Sequence, residues 1–152
     1  MPHEWSKEVL AELKDLGVKN NKRNDLRKIP FVTIDGKDAK DFDDAVFCDA
    51  NENGFVLQVA IADVAEVVEP DSFIDKEALS RGTSIYFPKR VIPMLPEKIS
   101  NNLCSLIPDE DRNVLVCKIN FNKDGEINSY DFSESVINSH KRFTYNEVEF
   151  LK

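Results

Sequence analysis

Long apolar runs are missing from this sequence, and no stretch approaches the roughly 20 apolar residues needed to cross a bilayer. Cysteine is scarce and odd in number: Cys48, Cys104 and Cys117 are widely spaced, each among apolar neighbours. That pattern excludes a disulfide framework or a zinc site and predicts reduced, buried thiols in a cytoplasmic protein. Histidine is limited to His3 and His140, and no Ser/His/Asp or Cys/His set for nucleophilic hydrolysis is visible. The opening Met-Pro-His-Glu-Trp-Ser-Lys-Glu lacks the basic start and apolar stretch of a secretion signal. Internal repeats and low-complexity segments are absent as well. Positive charge is outnumbered, 20 Lys and Arg against 28 Asp and Glu, for a net charge of −8. Such a balance opposes generic binding to a polyanion. Contact with nucleic acid would have to use local basic patches, bridging metal ions or neighbouring domains.

What is present suits a single domain with a real core, 152 residues long and 41% apolar. Ser6 caps a predicted helix running to about Leu16, with Gly17 as its stop. The segment Val18–Lys28 is polar and basic; it reads as a solvated linker, or as a strip that meets phosphates. Residues 1–28 are thus a helix and basic linker leading into the domain proper. Runs at 45–48 and 55–62 predict two strands joined by a turn at 49–54. That turn resembles the opening of an EF-hand loop, but the closing acidic position holds Ala60 and the flanks look like strands. Asp63, at the strand end, is a functional carboxylate or a turn cap. Asp71-Ser72 starts a helix that Gly82 closes, and Thr83–Pro88 reads as a strand. A short helix is expected over Ser100–Ile107, then strands at 113–121 and 126–138 around Asp124-Gly125. Thr144 and Glu147 form a capping box for a last helix, too short to stand alone, so the domain is expected to continue. The fold class is α/β, a mixed and largely antiparallel sheet flanked by helices.

One stretch organises the rest. Between Asp35 and Asp44 five carboxylates fall within ten residues (Asp35, Asp38, Asp41, Asp43 and Asp44), flanked by strand-like apolar sequence on both sides. Gathered carboxylates raise one another's pKa values or require a cation. Oxygen-only donors of this charge density favour magnesium or manganese. In an extended strand Asp41 and Asp43 would face one way and Asp44 the other, so convergence needs a loop or bulge. Gly36 allows a sharp turn after Asp35, and Phe42 would anchor the loop in the core. Asp38, between Lys37 and Lys40, reads as a bystander. Three uses stay open: a two-metal site for cutting phosphodiesters, a non-catalytic cation- or protein-binding face, and a merely solvated turn.

The residues Pro30-Phe31-Val32-Thr33-Ile34-Asp35-Gly36-Lys37-Asp38-Ala39-Lys40-Asp41-Phe42-Asp43-Asp44-Ala45-Val46 resemble the signature of the ribonuclease II/ribonuclease R family catalytic (RNB) domain. Agreement continues at Ala60-Ile61-Ala62-Asp63-Val64, Ser80–Pro88, Ile92–Pro96, Ser100–Leu106 and Ser139–Tyr145. The similarity runs from about Asp25 onward and is closest to the ribonuclease R branch. It implies a magnesium-dependent, processive exoribonuclease, with manganese a possible substitute. Such enzymes take single-stranded RNA, not DNA, from its 3′ end and release nucleoside 5′-monophosphates. By motif position the resemblance makes Asp35 and Asp44 direct metal ligands, Asp43 the most critical carboxylate and Asp41 an assisting one. It makes Tyr86 an RNA-packing side chain and Tyr145 a residue of sugar recognition, against ordinary core packing for both. One departure is clear: after Asp63-Val64 the family often shows His-Tyr, whereas this chain has Ala65-Glu66. The resemblance makes residues 29–152 the N-terminal half of that catalytic domain. The remaining half, with an arginine, a glutamate and a further aromatic clamp, and the flanking OB-fold modules belong to a longer parent. The separate chain is expected to have weak or no activity.

Overall fold

A computed structural model describes residues 4–17, 22–88 and 90–150. Nine strands and three short α-helices are present among them. In chain order they are α1 (Lys7–Glu12), β1 (Asn24–Asp25), β2 (Val32–Asp35), β3 (Asp44–Asn51), β4 (Gly54–Ala62), α2 (Phe73–Arg81), β5 (Ile85–Phe87), β6 (Arg90–Ile92), β7 (Asp111–Asn122), β8 (Ile127–Asn138), β9 (Lys141–Thr144) and α3 (Tyr145–Glu149). Seven strands form one sheet in the order β1-β8-β7-β4-β3-β2-β9, and β5 pairs with β6 alone. The long neighbours are antiparallel, while β1–β8 and β2–β9 are parallel. The mixed, largely antiparallel sheet with few helices agrees with the predicted class.

The hairpin β3–β4 turns at Asn51–Gly54, where the Asn51 carboxamide oxygen accepts from the Asn53 amide over 2.8 Å. Gly54 is required there: its φ is 143°, and a Cβ would lie 2.2 Å from the Phe121 carbonyl oxygen. Alternation along the strands sends Ala60, Ala62, Val114 and Val116 inward, where they meet Phe31, Ile74, Ile99, Leu106 and Val9. Each large side chain so buried contributes about 1.5–3 kcal/mol. On the opposite face Ile61 pairs with Leu115, and Tyr130 meets Phe132 edge to face, all of them exposed. No described element covers that face.

Several local expectations shift. Helix α1 stops at Glu12, capped by Leu13 in right-handed conformation, so Gly17 does not close it. Its buried Val9 and the stacking of Arg81 on Trp5, 3.6 Å from the ring centre, bind the lead-in to the same core. The short helix expected at Ser100–Ile107 is one wide π-type turn, Ile99–Leu103, with the Cys104 amide donating to the Ile99 carbonyl. Cys104 is buried as expected, which pushes its thiol up to about 11, but Cys48 is exposed. Residue 48 lies on the open face of β3, which nothing described here covers.

The basic segment is the larger correction. Residues 18–21 lie outside the described residues, but Arg23 is no solvated linker side chain. Its side chain is 2% exposed and contacts Asp63 and Glu66, each at 2.7 Å. Asp63 is likewise no turn cap, since its side chain caps nothing in the 3-10 turn Val64–Glu66. The physical reason is pairing: two carboxylates at one end of β4 make that buried place suitable for a guanidinium.

Candidate active site

Four chain positions meet at one end of the sheet. Asp35 ends β2, Asp44 begins β3, Ala62 ends β4 and Thr144 ends β9. Register sets them side by side, with Asp35 opposite Thr144 and Asp44 opposite Ile61. Between β2 and β3 the chain leaves the sheet as a loop, which begins in a turn closed by the Ala39 amide on the Gly36 carbonyl, 3.1 Å. Gly36 does not take the left-handed backbone that would demand glycine; the turn forms without it. The loop frees Asp41 and Asp43 from strand alternation, while Asp44 keeps its register as the first residue of β3.

Phe42 anchors this loop, being 5% exposed under the guanidinium of Arg142, 5.0 Å from its ring centre. Arg142 also donates to the carbonyls of Gly36 and Lys37, both at 2.7 Å. On the other side Ser105 donates to the Lys40 carbonyl at 2.8 Å and accepts from the Phe42 amide at 3.1 Å. Sequence reasoning missed both residues. Arg142 and Ser105 each stand inside a motif quoted for the resemblance, but no local pattern says what they touch.

The carboxylates feel one another. Burial first, then the charge of Asp44, holds the Asp35 carboxyl above its ordinary value, against the opposing pull of Arg142. Asp43, though exposed, is crowded by protein, and that crowding with the charges of Asp41, Asp44 and Asp35 pushes its pKa up too. Asp41 instead accepts a hydrogen bond from the Tyr86 hydroxyl at 2.8 Å, which holds the phenol above its ordinary pKa. Asp38 is exposed at the rim.

Tyr86 and Tyr145 are each 64% exposed, so neither is a core residue. Tyr86 projects from the β5–β6 hairpin beside a groove of about 280 Å³ that Asp41, Asp43, Ile61 and Ser100 help to line. Tyr145 opens α3, one residue after the position paired with Asp35. His140 is exposed, and His3 lies outside the described residues. The structure therefore brings Asp41, Asp43 and Tyr86 to one groove, with Asp35, Asp44 and Tyr145 at the neighbouring strand ends.

The donor set suits a hard divalent cation: oxygen atoms only, mutually repelling, at the mouth of a groove. Their placement is looser than a finished site. Among the described residues no three acidic, histidine or cysteine side chains converge closely enough to hold a metal ion.

The sequence pattern of the RNB domain matches residues 23–151. The chain belongs to the RNB domain family. Among RNB-containing relatives, ribonuclease R of Acidithiobacillus ferrooxidans is 53% identical over 97% of this chain and 35% of its own length. Ribonuclease R of Escherichia coli (strain K12) is 49% identical over 97% of this chain and 19% of its own length. A solved structure of Mycoplasma genitalium RNase R with double-stranded RNA superposes at a TM-score of 0.93, with 40% identity. It covers 97% of this chain and 27% of that one. Another, with ribose-methylated single-stranded RNA, gives 0.92 and 41%, covering 97% and 24%. The chain thus spans between about a fifth and a third of the length of the relatives it matches.

Proposed function

We propose that this RNB domain is part of a hydrolytic 3′-to-5′ exoribonuclease that degrades single-stranded RNA to nucleoside 5′-monophosphates with magnesium. One observation carries the reading: Asp41 and Asp43 line a groove beside an exposed tyrosine, with Asp35 and Asp44 at the neighbouring strand ends, in a chain about half identical to ribonuclease R proteins. In this reading residues 29–152 are the first half of the catalytic domain, and the rest of the active site comes from a longer parent.

Asp35 and Asp44 would hold the ion, with Asp43 and Asp41 completing the acidic set. When bound, magnesium would supply charge stabilisation at the scissile phosphate and an activated water. The ring of Tyr86 is free to stack on a base, a contact that tolerates any sequence. Tyr145, on the α3 side, would meet the sugar. The loop's own negative charge repels a phosphate backbone, so RNA and cation are expected to bind together.

A second reading has its own support. Asp38, Asp43 and Asp44 are all exposed, so the loop also offers a cation- or partner-binding face without chemistry. Incubation of single-stranded RNA with magnesium decides between them. Release of mononucleotides that Asp43→Asn abolishes supports the nuclease. If the separate chain and a longer parent both release none, the non-catalytic module replaces it.

A further inference from the structure

Ser105 is fully buried, and its hydroxyl does two things at once. It donates to the Lys40 carbonyl and accepts from the Phe42 amide, the peptide groups on either side of Asp41. A hydroxyl can donate and accept through one oxygen, which an alanine or a valine in the same space cannot. The neighbouring Leu106 amide adds a third bond, to the Phe42 carbonyl at 2.9 Å. Ser105 is itself pinned, because Arg112 donates from Nε to its carbonyl at 2.9 Å and from a terminal nitrogen to the Asn102 carbonyl at 3.1 Å. Asp41 is therefore gripped through its backbone while its side chain faces the groove and Tyr86.

We propose that Ser105 is the positioning residue of the acidic loop, fixing the backbone from which Asp41 and Asp43 reach a divalent cation. This rests on the metal-site reading above. Ser105 touches no ligand; it acts through Lys40 and Phe42. Being neutral, it changes no charge in the site when removed, so any effect on a cation must pass through geometry. Loss of groups that orient metal ligands typically weakens metal binding about 10–100-fold.

The test is a manganese titration of the 152-residue chain, followed by paramagnetic broadening of the Asp41, Asp43 and Asp44 amide signals. Ser105→Ala is expected to weaken manganese binding about 10–100-fold. Val116→Ala, a core change away from the loop, is expected to lower the melting temperature without that effect. Unchanged binding in Ser105→Ala overturns the proposal, and so does equal weakening in Val116→Ala. If the unaltered chain shows no broadening at all, the metal-site reading falls and the proposal with it. Should Ser105→Ala not fold, hydrogen exchange in the unaltered chain decides. A protected Phe42 amide supports the grip, and a freely exchanging one overturns it.

Discussion

The Tyr86 hydroxyl donates to the Asp41 carboxylate across 2.8 Å, joining residues 45 positions apart. The ring itself stays 64% exposed at the mouth of the groove. Tyr86 thus has two separable parts, an open aromatic face and a hydroxyl tied to the acidic loop. Tyr86→Ala is expected to cost about 1–3 kcal/mol in binding to a single-stranded oligonucleotide, the worth of one stacked base. Tyr86→Phe keeps the ring and should keep most of that affinity. Fluorescence anisotropy with a labelled RNA measures both. Equal losses in the two variants would show that the hydroxyl, not the ring, holds the RNA.

The raised carboxyls make a prediction about pH. Asp43 and Asp35 both lie above the ordinary value of 3.8 when folded. Each binds its proton more tightly in the native state, so its contribution to stability falls as pH rises through the window above 3.8. Asp43→Asn should therefore melt higher than the unaltered chain at neutral pH without divalent ions. The gap should shrink as pH falls towards 3.8 and vanish below it. For a chain of this size each kcal/mol moves the melting temperature by about 2–4 °C. Added manganese should reverse the ranking at neutral pH. A gap that ignores pH would sink the argument.

Arg23 carries a third. Its guanidinium is enclosed between Asp63 and Glu66, whose side chains are 17% and 14% exposed. Removing one partner of such a group strands the other charges, at a cost of about 3–5 kcal/mol when fully buried. Partial exposure of the carboxylates places Arg23→Met near the lower end, about 3 kcal/mol. Urea unfolding measures it. A loss below about 1 kcal/mol, the size of an exposed pair, would mean the cluster is solvated.

Much of this was legible because the signals are local. Ser72 and Thr144 cap the helices expected of them, and both accept from the amide three residues on. The β3–β4 and β7–β8 hairpins follow from alternation and their turns. The Asp35–Asp44 cluster needs only its own spacing and the strand-like runs beside it. Arg23 misled because a charge run says nothing about which of its members meets a carboxylate 40 residues away. Gly17 misled because a glycine permits a helix to stop without requiring it to run that far.

By itself the sequence determined the long strands, the helix caps, the acidic loop and the family, since propensity, capping and motif are written in neighbouring residues; the short strands β1, β6 and β9 carry no such signal. Only the tertiary structure decided what surrounds that loop. The parallel pairing of β2 with β9 sets Thr144 beside Asp35, 109 positions along the chain. Ser105 reaches Lys40 and Phe42, Arg142 covers Phe42, and Tyr86 meets Asp41. These contacts follow from sheet register and from where buried hydrogen-bonding groups find partners. Both are properties of the packed chain that no local pattern encodes.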